Sequence, residues 1–393
     1  MNILFLYTNA ILPERGGVQR VTDVLSNYFE SKGLRIYYLS LIRINNSLDL
    51  SPRQFFLPYA NDIEKNASFL LDFLETNNIK ILINQSGCDP EISTLAYRAK
   101  DINVKIISVI NNSILSGINN FSSLYKSIAT NLNLAWLLPL TDLTVIKRLL
   151  LFFYKLKNQK HYKELCLKSD RVILLTDKFR YELNFMNAGV GSDNVLIIPN
   201  PVSFNVDSID LSKKKNELLY VGRIDTVFKR LDLLLEIWNK LFNEFTDWQL
   251  KIVGGGRELE SIVNLSKKLC LQRISFEGFQ DPRSYYCDAS IFCLTSSAES
   301  FGMVLLEAMQ YSTVPFAFNS YPTVREIIDH EKNGILIPPF QCDKYAAELA
   351  RLMRDKSRLD QLARAAQVKS AEYSIDKVGL KWLELFNDLI ISK

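Results

Sequence analysis

The chain has 393 residues, 48% of them hydrophobic and 23% charged, with a formal net charge of +4. That length allows roughly two or three domains with sizeable cores, and the near-balanced charge excludes a dedicated nucleic-acid binder, which would carry a basic stripe. Six cysteines without a CxxC pair, and only His161 and His330 as histidines, exclude a disulfide scaffold and argue against a zinc site. No metal and no resident cofactor is expected. The opening residues Met1-Asn2-Ile3-Leu4-Phe5 lack the charged start of a signal peptide, and no run of about 18 apolar residues is present to span a bilayer. A cytoplasmic protein is expected.

Residues 3–7 read as a fully buried strand. Gly16 and Gly17 follow in a loop, where the missing side chains would let a ligand approach the backbone; a tight turn without a ligand is the competing reading. A helix is expected over 21–32, closed by Gly33, and then a strand over 34–39. Such a unit predicts a right-handed parallel crossover. The alternation continues with helices over 69–77 and 91–100 and strands over 79–84 and 105–110. Residues 114–163 read as a helical, hydrophobic and basic insertion. Its stretch 147–163, KRLLLFFYKLKNQKHYK, carries six Lys/Arg and no acid. Basic residues interleaved with Leu, Phe and Tyr suit contact with an anionic membrane surface; an amphipathic helix packed on its own domain is the alternative. A strand over 169–176, a helix over 178–187 and a strand over 195–198 lead to Pro199-Asn200-Pro201, a domain exit. The polar stretch 203–216 reads as a linker.

The second domain opens with a strand over 217–221 running into Gly222-Arg223. A loop to Lys229 and a helix over 230–242 follow. Arg223 and Lys229 thus share one strand-to-helix loop, and both could hold a diphosphate, Arg as a planar fork and Lys as a point charge. A strand over 248–253 ends in Gly254-Gly255-Gly256, a glycine loop. A strand from 274 ends near Gly278-Phe279-Gln280. The run 289–294 is a short buried strand, and residues 294–310 read LTSSAESFGMVLLEAMQ. There Ser300 suits an N-cap, and a helix is expected from Met303 to Gln310. Amides near Phe301, Gly302 and Met303 would point outward, which favours an anion. Glu299 lies just outside the helix, and Glu307 one turn within it can face the same mouth. Two acidic acceptors beside an anion cradle suit a sugar nucleotide. Strands over 314–318 and 334–337 and helices over 323–330, 345–354, 358–372 and 375–391 complete the chain.

Glu-Ser-Phe-Gly-Met-Val-Leu-Leu-Glu over 299–307 resembles the two-glutamate signature of the family 4 retaining glycosyltransferases. The Gly222-Arg223…Lys229 segment and Ile198-Pro199-Asn200-Pro201 are similar to that family's motifs at the same places. The resemblance covers nearly all of the second domain and only the pattern of the first. It implies an α/β fold of GT-B type, two Rossmann-like domains facing across a cleft, over 1–200 and 201–374, with a C-terminal helix (375–393) crossing back to the first. It implies that Glu307 holds the ribose hydroxyls of the donor and that Glu299 faces the donor sugar. The amides of Ser300, Phe301, Gly302, Met303 and Val304 then hold the diphosphate, with Arg223 and Lys229 as its cations. Gly16 and Gly17 would face the donor phosphates, Gly254 would lie under the donor, and Phe279 and Gln280 would lie near the base. In the family the strand ending at Ile110 often closes on a histidine; this sequence has none there, and Asn111 or Asn112 could supply a hydrogen bond instead.

The activity so implied is retaining sugar transfer from a nucleoside diphosphate sugar to a hydroxyl of a glycan or lipid-linked acceptor in surface polysaccharide or lipopolysaccharide synthesis. No Asp-x-Asp pair is present to hold a metal, so Arg223, Lys229 and the helix amides would stabilise the leaving diphosphate. A donor-binding relative with weak turnover, acting as a scaffold subunit, is the alternative. A sugar-nucleotide epimerase or a dehydrogenase fits worse, because the glycine run at Gly254 lies too late for a dinucleotide fingerprint.

Overall fold

The computed structural model describes residues 1–42, 50–59, 62–119, 144–188, 193–204, 206 and 209–391. Two compact units are present. Unit 1 comprises Met1–Ile118, Thr144–Ser203 and Tyr373–Lys393, and unit 2 is built on Phe204–Glu372.

Unit 1 is a seven-stranded sheet in the order β3-β2-β1-β4-β5-β6-β7. Its strands are β1 (Asn2–Asn9), β2 (Arg35–Ile42), β3 (Gln54–Phe56), β4 (Ile79–Asn84), β5 (Lys105–Ile110), β6 (Arg171–Leu174) and β7 (Val195–Ile197). Every pairing is parallel. A parallel sheet is covered by helices on both faces, so its strands are continuous apolar runs; Ile3 to Leu6 and Ile81 to Ile83 are fully buried. The edge strand β3 is three residues long and carries no such run, which is why the sequence hides it. The first helix spans Gly17–Ser31, four residues earlier than expected, because Gly16 itself caps it and accepts the Arg20 amide at 3.0 Å. The glycine pair therefore begins a helix rather than forming a loop.

The insertion contributes a 25-residue helix, Thr144–Lys168. Its inner face is tied down where the Tyr154 hydroxyl donates to Ile114 O (2.8 Å) and His161 Nε2 meets Gly87 O (2.9 Å). The part of the insertion over 120–143 lies outside the described residues. The last helix, Ile375–Ile391, belongs to unit 1. Phe386 packs edge-on against Phe29 of the first helix at 5.1 Å, and the Val202 amide donates to Tyr373 O at 2.8 Å.

Unit 2 is a six-stranded parallel sheet in the order β10-β9-β8-β11-β12-β13. The strands are β8 (Lys215–Val221), β9 (Gln249–Val253), β10 (Ile274–Gly278), β11 (Ala289–Leu294), β12 (Val314–Phe318) and β13 (Ile335–Ile337). The helix Leu259–Lys268 was not expected; it fully buries only Ile262 and Ser266, too narrow a stripe to read from sequence. The expected 323–330 helix shortens to the single turn Val324–Ile327. Among the described residues no helix is long and apolar enough to cross a membrane.

The stretch expected as linker is not all solvated. Lys214 is drawn inward, and its ammonium donates to Tyr286 O, Ala289 O and Thr313 Oγ1, each at 2.8 Å. It ties the start of β8 to the ends of its neighbours. Burial pushes this ammonium down to about 7, whereas a solvated lysine titrates near about 10.4. The unfolded chain binds more protons between those values, so this group adds stability as pH rises from 7 to 9. Urea unfolding at both pH values should show that gain in the native protein. Lys214→Met should lose it, and should lower stability by about 1–2 kcal/mol because Tyr286 O and Ala289 O are left to share the one Thr313 hydroxyl proton.

Candidate functional site

The strand order of unit 2 runs outward in both directions from the adjacent pair β8 and β11. The chain leaving β8 turns to one side and the chain leaving β11 to the other. Their carboxyl-terminal loops part there, and open parallel sheets bind ligands in such a crevice. The first loop carries Gly222 to Arg230, the second Thr295 to Gly302.

Asp225 organises the first loop. It is 9% exposed. One oxygen accepts the amides of Phe228 (2.7 Å) and Lys229 (2.9 Å), and the other accepts Arg223 Nε (2.8 Å). Burial acts to raise its pKa, but the Lys229 amide, the Arg223 guanidinium and the Phe228 amide outweigh it and hold the carboxyl below its ordinary value. It stays ionised, and half of the Arg223 fork is pinned while the side chain remains 62% exposed. Arg230 is half-buried, paired with Asp232 (3.0 Å) and laid over the Phe340 ring.

The second loop is stitched to the first. The Ser297 amide donates to Phe228 O (2.7 Å), the Ser297 hydroxyl to Val227 O (2.9 Å) and the Thr295 hydroxyl to Lys229 O (3.1 Å). These bonds place Lys229 against Glu299. The ammonium meets Glu299 Oε1 at 2.6 Å, and the Ser296 hydroxyl donates to the same oxygen at 2.7 Å. Glu299 Oε2 accepts nothing among the described residues.

The helix Met303–Gln310 starts at Gly302, not at Ser300. Gly302 holds φ 92° and ψ 42°, with no side-chain cap. A left-handed N-cap removes the extended geometry in which a Ser hydroxyl reaches back to the first-turn amides, so the expected Ser300 cap is not made. The Leu305 amide closes on Gly302 O (2.9 Å). The amides of Gly302, Met303 and Val304 lie beyond reach of the helix's own carbonyls. Close by, the Tyr321 hydroxyl is buried with no partner among the described residues, and a Cβ on Gly302 would sit 3.0 Å from it. A buried hydroxyl without a partner beside unpaired amides marks a place where a polar ligand completes the bonding. Phe301 is 1% exposed, so only its backbone can take part.

Glu307 is the residue expected to face the mouth of the helix. It is fully buried, and the Tyr286 hydroxyl donates to it at 3.0 Å. The reason lies in the helix: of its eight residues all but Val304 are buried, so a side chain one turn in sits in the core. Gly254 has a structural duty. At φ 138° a Cβ there would lie 1.9 Å from Gly222 O, so only glycine lets the loop after β9 lie against the loop that carries Arg223. Phe279 is 68% exposed at the end of β10, with Gln280 exposed beside it. A cavity of ≈ 480 Å³ opens elsewhere in unit 2, near the edge strand β13, lined by Asn319, Arg325, His330 and Lys344 among others; it lies off the crevice between β8 and β11.

In unit 1, Gly16 is extended and Gly17 is the first helical residue. Ile110 is buried at the end of β5. Asn111 spends its amide on Gln85 O and Oε1 (both 2.9 Å), and Asn112 is exposed. A histidine does reach this end of the sheet. His161, from the insertion helix, bonds Gly87, whose amide meets Val109 O at 3.2 Å; burial lowers its pKa. Sequence reasoning missed His161, Asp225 and Tyr321. Asp225 alone left a signal, an acid placed four residues before Lys229 on a strand-to-helix loop.

Residues 203–369 match the family model described as glycosyl transferases group 1. An uncharacterized glycosyltransferase of Haemophilus influenzae is 30% identical over 216 residues, 54% of this chain and 60% of that protein. The amylovoran biosynthesis glycosyltransferase AmsD of Erwinia amylovora is 26% identical over 56% of this chain and 62% of its own length. The matched stretch thus spans about three fifths of these relatives. Among solved structures, the apo form of the lipopolysaccharide outer core galactosyltransferase WaaB aligns over 100% of this chain and 99% of that one, with 19% identity and a TM-score of 0.68. HepE of Anabaena, solved with UDP and glucose, aligns over 99% and 100% at 14% identity and TM-score 0.73. The fold is the GT-B arrangement of two Rossmann-like sheets.

Two substitutions test how the crevice is built. Asp225→Ala removes the acceptor of two amides and a guanidinium and is expected to lower stability by about 2 kcal/mol in urea unfolding, with Asp225→Asn losing less. Gly302→Ala forces a side chain into left-handed backbone against Tyr321 and is expected to lose about 1–3 kcal/mol.

Proposed function

We propose that this chain, whose second unit belongs to the glycosyl transferases group 1 family, is a retaining, metal-independent glycosyltransferase. It moves a sugar from a nucleoside diphosphate sugar to a hydroxyl of a glycan or lipid-linked acceptor, in cell-surface polysaccharide or lipopolysaccharide synthesis, at the inner face of the cell membrane. The observation that carries this reading is the joining of two loops at the β8/β11 crevice. It sets an exposed, pinned Arg223, the Lys229–Glu299 pair and the unpaired amides of Gly302, Met303 and Val304 on one edge of the sheet.

The roles follow from charge. The diphosphate takes the helix amides and the open side of Arg223, and Lys229 turns from Glu299 towards it as negative charge grows on the leaving group. Fixed donors of this kind stabilise a developing anion without reorganising at the moment of reaction. Glu299, released from the ammonium, accepts sugar hydroxyls through Oε2. Glu307 takes the ribose hydroxyls, which requires Tyr286 to share its acceptor. Phe279 offers an exposed ring for the base. Retention is read as attack on the face the leaving group departs from, because Glu299 is placed to accept sugar hydroxyls rather than to act as one of a carboxylate pair about 5 Å apart.

A panel of UDP- and GDP-sugars with thin-layer detection of the product tests the activity. Glu299→Gln is expected to lower kcat about a hundredfold with little change in KM, and Glu307→Gln to raise the donor KM about tenfold. Activity should survive excess EDTA; its loss there, with recovery on added Mg²⁺, would show that a metal shares the diphosphate. Donor hydrolysis without transfer to any acceptor would favour the weak donor-binding relative instead, a reading supported by the buried Ile110 at the end of β5.

A further inference from the structure

The insertion helix Thr144–Lys168 buries one face and leaves the other bare. Inward, Tyr162, Leu165 and Cys166 are buried, and Tyr154 and His161 bond the backbone of unit 1. Outward, Leu149 (51%), Phe152 (55%), Phe153 (63%) and Leu156 (52%) are exposed. Their spacing of three, four and seven residues aligns them as one stripe about 10 Å long. Single exposed apolar residues need no explanation, but two phenylalanines and two leucines in one stripe do.

The charge beside the stripe selects what covers it. Arg148, Lys157, Lys160 and Lys163 are exposed on the same helix and have no carboxylate partner among the described residues. Lys155 is turned away, donating to Asn187 and lying over the Phe185 ring. A symmetric pair of this chain would set each patch against its own copy, bringing those cations together. A bilayer with anionic headgroups complements them instead. Its acyl boundary accepts the aromatic and aliphatic ridge, and long basic side chains reach the phosphates.

We infer that the outer face of the Thr144–Lys168 helix seats unit 1 on an anionic lipid surface. The inference deepens the lipid-linked-acceptor reading and rests on it for the purpose docking serves. Its support is the exposed stripe and the flanking charge. Docked this way, the chain meets a lipid-linked acceptor by search in two dimensions rather than three.

Flotation of the full chain with vesicles of phosphatidylglycerol and phosphatidylcholine, against phosphatidylcholine alone, tests it. Binding is expected to need the anionic lipid and to weaken with added salt. Phe152→Ser with Phe153→Ser should reduce partitioning about tenfold or more, and Lys157→Glu with Lys160→Glu should do likewise, with unchanged unfolding midpoints because these side chains are exposed. Equal binding to neutral vesicles, no binding, or unaltered partitioning of both double variants would overturn the inference. So would a sedimenting dimer that the phenylalanine variant converts to monomer, or an acidic protein that displaces the chain from vesicles without losing affinity for that variant. Vesicle binding needs no nucleotide, so it can persist if sugar transfer fails, and transfer to a water-soluble acceptor can persist if docking fails.

Discussion

Two cations held in one crevice repel each other, and a protein that gathers them before any anion arrives must neutralise both. Here the task falls to two carboxylates in different ways. Asp225 is permanent: it closes the turn after β8 with two amide bonds and takes Arg223 with its other oxygen. In the proposed reaction Glu299 is the exchangeable one: it takes both Lys229 and the Ser296 hydroxyl on one oxygen. In that proposal an arriving diphosphate meets one fixed cation, Arg223, and one it can trade for, Lys229. A partly buried ion pair gains little net energy over its desolvation, so the trade is shallow, as a turnover site needs.

How well the chain could be read from its letters differs between its two halves, and the reason is physical. In unit 2 the buried strands are apolar runs closed by glycine, and the functional side chains lie within a few residues of strand ends. Arg223, Lys229 and Glu299 were therefore legible from local spacing. In unit 1 the equivalent information is not local. His161 reaches Gly87 from a helix 74 residues further along the chain, and no periodicity announces such a meeting. The Ser300 cap failed for a related reason, since Ser300 and Gly302 both offer plausible starts and the left-handed turn at Gly302 decides between them. Glu307 looked open because a glutamate one turn from a loop is usually solvated; only the packing around the whole helix shows it buried against Tyr286.

Buried polar atoms divide the same way. Lys214 is fully provided with acceptors and serves the sheet. Of the four buried side-chain polar atoms without a partner among the described residues, Tyr321 Oη follows β12 and lies beside the helix tip at Gly302.

The helix Ile375–Ile391 completes the core of the unit that the chain begins with, through Phe386 against Phe29. A ribosome releases residues in order, at about 5–20 per second. The first 200 residues thus emerge, and the whole of unit 2 after them, before the last helical layer of unit 1 exists. Until then the first sheet exposes Phe29 and its neighbours to solvent. A chain that stopped just after residue 372 would hold Phe204–Glu372 but lack this helix of unit 1.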